Sequence, residues 1–170
     1  FGLFDEKFFL YHEDTDASLQ AKVRGYKVVI EPTSIVYHYY EFAKSKMNFY
    51  WMERNRYVLL WSYYQWQTLV WLFPMLLIFE LGELGFSIVS GWSDMKWKMY
   101  KDWFSRSYWK WIYARRRLIQ HSRTVSDRIF LSGAVSIVDF QEESVSNPVL
   151  DRIGNPLMRW YWQAVKRVIP

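Results

Sequence analysis

Four consecutive residues near the start of the chain, Glu13-Asp14-Thr15-Asp16, set three carboxylates together behind an aromatic run, Phe8-Phe9-Leu10-Tyr11. Carboxylates this close repel one another unless a cation, a proton or a polar substrate shares them. Proton abstraction and metal-assisted chemistry are the reactions such a cluster suits. Where a sugar hydroxyl attacks an activated anomeric carbon, one base must take the hydroxyl proton. A divalent metal usually stabilises the departing phosphate. Asp14 suits the base role, with Asp16 as the alternative and Glu13 completing the catalytic set. His38, one strand unit further on, suits a metal ligand as a neutral imidazole. The structural alternative makes Glu13 and Asp16 helix caps and ion-pair partners of Lys22, Arg24 or Arg54.

The elements that must position these groups read as α/β material. Thr15 or Asp16 is placed to cap a helix from Ala17 to about Arg24, which Gly25 ends. Tyr26–Ile30 reads as a strand, Glu31-Pro32 as a turn and residues 35–39 as a second strand. Two short strands and two short helices cannot bury a core alone, so the remaining mass is expected upstream of Phe1 or from a partner. A helix is expected to start over residues 45–56.

Residues 57–92 form a hydrophobic segment. It opens with 23 residues, Tyr57–Phe79, that carry no charge, long enough to cross a hydrocarbon core of roughly 30 Å. Gln65 and Gln67 weaken the run and Pro74 should kink or break it. Glu80 and Glu83 follow, then a short apolar stretch to Trp92. A kinked spanning helix with a short return, or a helical hairpin dipping into one leaflet, fits this pattern better than a soluble helix. Residues 93–128 carry ten Lys or Arg against three Asp, interleaved with rings from Trp97 to Tyr113. That reads as interfacial helices, basic side to phosphate and rings to acyl chains. Arg115-Arg116-Arg117 would mark the cytoplasmic face of the membrane. A nucleic-acid patch is the rival reading of the same alternation, but no nucleic-acid motif accompanies it. Residues 129–170 form a tail with a short aromatic and basic helix over residues 157–169.

Composition agrees with a membrane-facing chain. Aromatic residues make up 21%, including 11 Trp, more than a core of this size needs and suited to the headgroup level. The net charge of +5 favours anionic partners. The absence of cysteine excludes disulfides, zinc thiolate sites and thiol nucleophiles. Asp5 and Glu6 stand where a signal peptide would carry its basic head.

The run Phe4-Asp5-Glu6-Lys7-Phe8-Phe9-Leu10-Tyr11-His12-Glu13-Asp14-Thr15-Asp16, with RGYKVVIEP and IVYH after it, resembles the end of the catalytic domain in family 2 glycosyltransferases, of the rhamnosyltransferase-like and galactofuranosyltransferase-like kind. The resemblance covers residues 1–56. It implies a GT-A fold, a divalent metal (Mg or Mn), a nucleotide-diphosphate sugar donor and inversion at the anomeric centre. Asp5 and Glu6 match the opening acidic pair of the family motif, and Phe8, Phe9 and Tyr11 its aromatic frame. Glu13 and Asp14 match the Glu-Asp pair whose aspartate is the general base, and Asp16 the second aspartate. Gly25-Tyr26 match the turn into a strand, His38 the histidine near the metal or diphosphate, and Arg54-Asn55-Arg56 the element leading into C-terminal helices. The chain departs from the pattern at Ala17, where the family has leucine, and at Gln20, where it has arginine. A nucleotide-binding strand-helix unit and an upstream DxD-type metal pair have no counterpart here.

On this reading, residues 1–56 are the C-terminal part of a GT-A domain. Residues 57–92 are membrane helices, 93–128 interfacial helices and 129–170 the tail. The expected function is the C-terminal portion of an inverting glycosyltransferase in cell-wall or polysaccharide biosynthesis. It would work on the cytoplasmic face of a membrane, on a lipid-linked or glycan acceptor, with no nucleic-acid partner. The alternative is a non-catalytic membrane-peripheral interaction module with a structural acidic cluster.

Overall fold

The computed structural model describes residues 4–37, 45–137, 148 and 150–170. Seven α-helices are found among them: α1 (Glu13–Val23), α2 (Lys46–Tyr63), α3 (Trp66–Val89), α4 (Ser93–Asp102), α5 (Arg106–Ser122), α6 (Asp127–Phe130) and α7 (Asn155–Val165). A 3-10 turn, Glu6–Phe8, precedes α1, and a π-helical turn, Leu150–Gly154, leads into α7. Among the described residues no β-strand forms.

This overturns the expected α/β fold, and with it the GT-A assignment, because a GT-A domain is built on a sheet. The expected strand Tyr26–Ile30 and the described part of the second, residues 35–37, run as unpaired chain. Ile30 and Val36 are 91% and 81% exposed. Their β-branched sequence favours a pleated surface only where neighbouring strands supply one, and an isolated two-stranded ribbon is marginal in water. His38 and the end of the second predicted strand lie outside the described residues.

The chain divides into two compact units, Phe1–Tyr64 with Gly82–Val125, and Gln65–Leu81 with Ser126–Pro170. In the first, α2 is the central helix, packed by α4 and α5, with α1 against α2 and α5. Val58, Leu59 and Tyr63 of α2, Met99 of α4, and Tyr108, Trp111, Ile112 and Ile119 of α5 form its core with Phe8 and Val23. The second unit is smaller. Leu69, Phe130, Leu131, Val165 and Ile169 are its buried apolar residues. The Tyr161 hydroxyl donates to the Trp71 carbonyl, and the Asp127 carboxylate accepts the Gln65 amide at 2.7 Å, at the amino end of α3 where a negative charge is favoured.

Helix α1 begins at Glu13, a turn earlier than predicted. Glu13, Asp14 and Asp16 therefore lie inside its first turn, where free amides favour carboxylates. It ends as expected of its glycine: Gly25 has φ +84°, its amide reaches the Lys22 carbonyl at 3.0 Å, and the Tyr26 amide reaches Ala21 at 3.1 Å. A side chain at Gly25 would meet the Thr124 hydroxyl at 3.2 Å.

The uncharged run Tyr57–Phe79 is divided between two helices. Tyr64, at φ −78° and ψ 143°, breaks it. The carbonyls that α2 leaves open there are filled from α5. Arg116 donates to Trp61 and Tyr64 at 2.7 Å each, Gln120 to Ser62 and Tyr63 at 3.0 and 2.8 Å, and Arg123 to Tyr63. Helix α3 then continues through Pro74 and past Glu80 and Glu83 for 24 residues. Gly91, at φ +74°, ends it.

The approach to α1 is strained. Phe9, Tyr11 and His12 have φ of 58°, 65° and 66°. Phe9 has ψ −54°, and the Leu10 amide bonds back to Phe8 at 2.6 Å, a γ-turn of the rare, strained hand. Asn55 of α2 holds this loop. It is fully buried, and its side-chain amide donates to the carbonyls of Phe8, Leu10 and Tyr11 at 2.9, 2.9 and 3.0 Å. Arg54 adds a bond to the Lys7 carbonyl at 2.9 Å, its guanidinium set over Trp111 and Trp51 at 4.8 and 5.2 Å. We expect Asn55→Ala to destabilise the first unit by about 2 kcal/mol, the cost of stranding buried carbonyls. Urea unfolding of the two proteins measures it, and a difference under about 0.5 kcal/mol would show that the loop does not depend on Asn55.

Candidate functional site

The carboxylate cluster separates into residues with different surroundings. Asp16 is fully buried. One of its carboxylate oxygens takes a bond from the Arg115 guanidinium and another from the Tyr63 hydroxyl at 2.8 Å; the second oxygen takes the Gln20 side-chain amide at 3.1 Å. Arg115, 1% exposed, extends its other nitrogen to Asp5 at 2.7 Å. Asp5 also accepts from the Trp111 indole at 2.9 Å. Burial by itself would raise the Asp5 pKa, but Trp111, the Lys7 amide and Arg115 outweigh it and hold the group below its ordinary value. Burial likewise pushes the Tyr63 hydroxyl far up, reinforced by the Asp16 charge, so it acts as a donor.

Glu13 and Asp14 do not join this network. Asp14 is exposed, its oxygen 2.6 Å from the Thr15 amide. Glu13 is half-buried on the same turn. His12, just before them, is held below its usual pKa by burial, with the Asp14 charge opposing, and is neutral at pH 7. The structure therefore brings Asp5 and Asp16 to one cation and leaves Asp14 at the surface. Gln20, where the family pattern has arginine, is a ligand of Asp16 rather than a substitute cation. The cation comes from Arg115, ninety-nine residues away in sequence, which no local signal connected to Asp16.

A second charged group lies in the same unit. Lys96 of α4 is fully buried and donates to Glu53, and to Glu83 at 3.0 Å. Arg56 donates to Glu53 at 3.0 Å and takes both oxygens of Glu83, one at 2.8 Å. Two acids and two bases thus balance in place. Burial raises the Glu53 pKa to about 7; Arg56 opposes this and the neighbouring Glu83 charge adds to it. Glu53 and Glu83 offer carboxylate oxygens of the kind that can hold a hard metal ion, although Arg56 and Lys96 already engage both groups. These are not residues the resemblance pointed to, and the set carries no specific link to a sugar-transfer cofactor.

Arg115 and Arg116 spend their charge inside the protein, the latter on the carbonyls of Trp61 and Tyr64. They therefore give no reading of which membrane face the chain occupies.

The chain matches no protein-family model, no curated protein and no solved structure. With no sheet among the described residues, the scaffold for nucleotide-sugar chemistry is lacking. The glycosyltransferase assignment and the enzyme class are corrected accordingly. The described acidic and basic groups instead form buried networks of a structural or metal-binding kind.

The raised pKa of Glu53 makes stability depend on pH. Between its ordinary 4.5 and about 7 the folded chain holds a proton that the unfolded chain has lost. The resulting stabilisation is complete below 4.5 and disappears as pH rises through about 7. We expect the wild-type melting temperature, followed from pH 4.5 to 8, to carry this downward component, and Glu53→Gln to remove it. The same slope in both proteins would exclude Glu53 as its source.

Proposed function

We infer that this chain is a non-catalytic, membrane-associated interaction module whose buried acidic groups are structural. The observation that carries this reading is helix α3. Its 24 residues reach about 36 Å, enough for a hydrocarbon core. It is long and apolar enough to cross a membrane. Trp66, Val70, Phe73, Leu77 and Leu81 make one exposed stripe, with Trp71 and Ile78 exposed beside it. Leaving seven such side chains in water forfeits on the order of 10 kcal/mol of burial, comparable with the whole stability of a domain. In a bilayer they meet solvent of their own kind. Pro74 is tolerated there better than in a soluble helix interior.

The structural reading of the acids follows from their partners. A base that removes a substrate proton must be reachable, and Asp16 is enclosed by Arg115, Tyr63 and Gln20. For Mg2+ or Mn2+ to use Glu53 and Glu83, it would have to displace the Lys96 ammonium from between them.

Flotation with phosphatidylcholine vesicles, followed by an alkaline carbonate wash, tests the assignment. The full chain should float and resist the wash. Phe73→Asp with Leu77→Asp should shift it largely to the unbound fraction, since each acidic residue at mid-helix costs about 3 kcal/mol. A wild-type chain that stays monodisperse in lipid-free buffer without floating would refute the membrane assignment.

A further inference from the structure

The second unit contains a cleft of about 490 Å3 between the turn after α6 and one face of α7. Its lining is of two kinds. Leu131, Val135, Ile137 and Ile169 give it apolar walls, and three cations, Arg128, Arg159 and Lys166, stand around it. No acidic residue is among the lining residues. Spacing explains the α7 contribution: Arg159, Trp162, Gln163 and Lys166 fall at i, i+3, i+4 and i+7, which is one face of a helix. Trp162 lies half-buried between the two cations.

The charge of these cations is not neutralised within the described residues. The Arg159 and Lys166 side chains are exposed and make no hydrogen bond or ion pair there. Arg128 is fixed in position, its guanidinium bonded to the carbonyls of Ile169 at 3.1 Å and Arg167 at 3.3 Å. Those carbonyls orient it without cancelling its charge. Ser132, Ser136 and Gln163 supply neutral donors around the same space. Three uncompensated cations with neutral donors suit a phosphate. The apolar walls suit what a phosphate carries when it belongs to a lipid.

We propose that this cleft binds the phosphate headgroup of an anionic phospholipid, with Arg159 and Lys166 as its principal charge partners and Arg128 as the preset one. The proposal rests on the membrane assignment above and adds a headgroup preference to it. Exposed Leu157 and Trp160 on another face of α7, and Ile153 just before it, are placed to enter the acyl region beside the bound headgroup.

Spin-labelled lipids test this with the full chain reconstituted in phosphatidylcholine. The fraction of motionally restricted label is compared between phosphatidic acid and phosphatidylcholine probes. We expect the wild type to prefer the anionic probe by roughly fivefold or more at physiological salt. Arg159→Gln with Lys166→Gln should bring that preference close to one. Lys110→Gln with Arg117→Gln removes the same charge from exposed positions of α5, outside the cleft, and should leave the preference intact. No preference in the wild type, an undiminished preference in the cleft variant, or an equal loss in both variants would overturn the proposal. Inorganic phosphate binding in detergent as tightly as a short-chain phosphatidic acid would also overturn it, by showing that the ligand is free phosphate. Failure to incorporate into phosphatidylcholine at all would refute the membrane assignment and this inference together. Normal incorporation without headgroup preference would refute only the inference.

Discussion

The first unit depends on one buried guanidinium. Arg115 joins Asp5 in the N-terminal turn to Asp16 on α1, while Tyr63 of α2 shares the Asp16 carboxylate. Two acids from the start of the chain converge on a cation about a hundred residues later that water barely reaches. Such a group does not add much net stability compared with a well-packed apolar replacement. Its effect is on specificity: once the cation is enclosed, each acid must be in place, because removing one leaves charge stranded at a cost of about 3–5 kcal/mol. The strained turn that Asn55 clamps lies in the chain between Asp5 and Asp16, the two acids held to that cation.

The Lys96 group repeats the principle elsewhere in the first unit. Two acidic side chains and two cations meet there, and burial holds the proton on Glu53 up to about pH 7. The first unit thus keeps ionic groups inside. Helix α3 keeps large apolar ones outside. In water alone that distribution would be unfavourable at both places, and a lipid phase accounts for the exposed apolar surface. The cations of α7 and the turn after α6 extend the same logic to the headgroup layer.

Local signals in the sequence were legible where the physics is local. Gly25 ends α1 because its own φ permits the turn, and Ser45 accepts the Met47 amide at the start of α2. The apolar run was legible only in its composition: a kink or break is expected at Pro74 in Tyr57–Phe79, whereas the helix breaks at Tyr64 and α3 runs through Pro74, Glu80 and Glu83. The strands were misread because pairing is non-local: Tyr26–Ile30 has the composition of a strand but no described neighbour to pair with. The partner of Asp16 is hidden in the sequence for a related reason. Three carboxylates in four residues look alike in a sequence, whether the compensating charge is a substrate, a metal or an arginine ninety-nine positions later. Arg115 and Arg116 looked like surface charges for the same reason, since nothing adjacent to them marks them as buried. Lys96 and Glu53 gave no signal, because a single lysine and a single glutamate on helices are ordinarily solvated.

The most direct measurement is a double-mutant cycle on Asp16 and Arg115, using Asp16→Asn, Arg115→Met and the pair, followed by urea unfolding. If Asp16 is structural, each single change destabilises by about 3 kcal/mol or more, and the pair costs clearly less than the sum, with a coupling of about 2 kcal/mol. Additive effects near zero would show that the two groups do not hold each other, and would contradict the structural account of the acidic cluster.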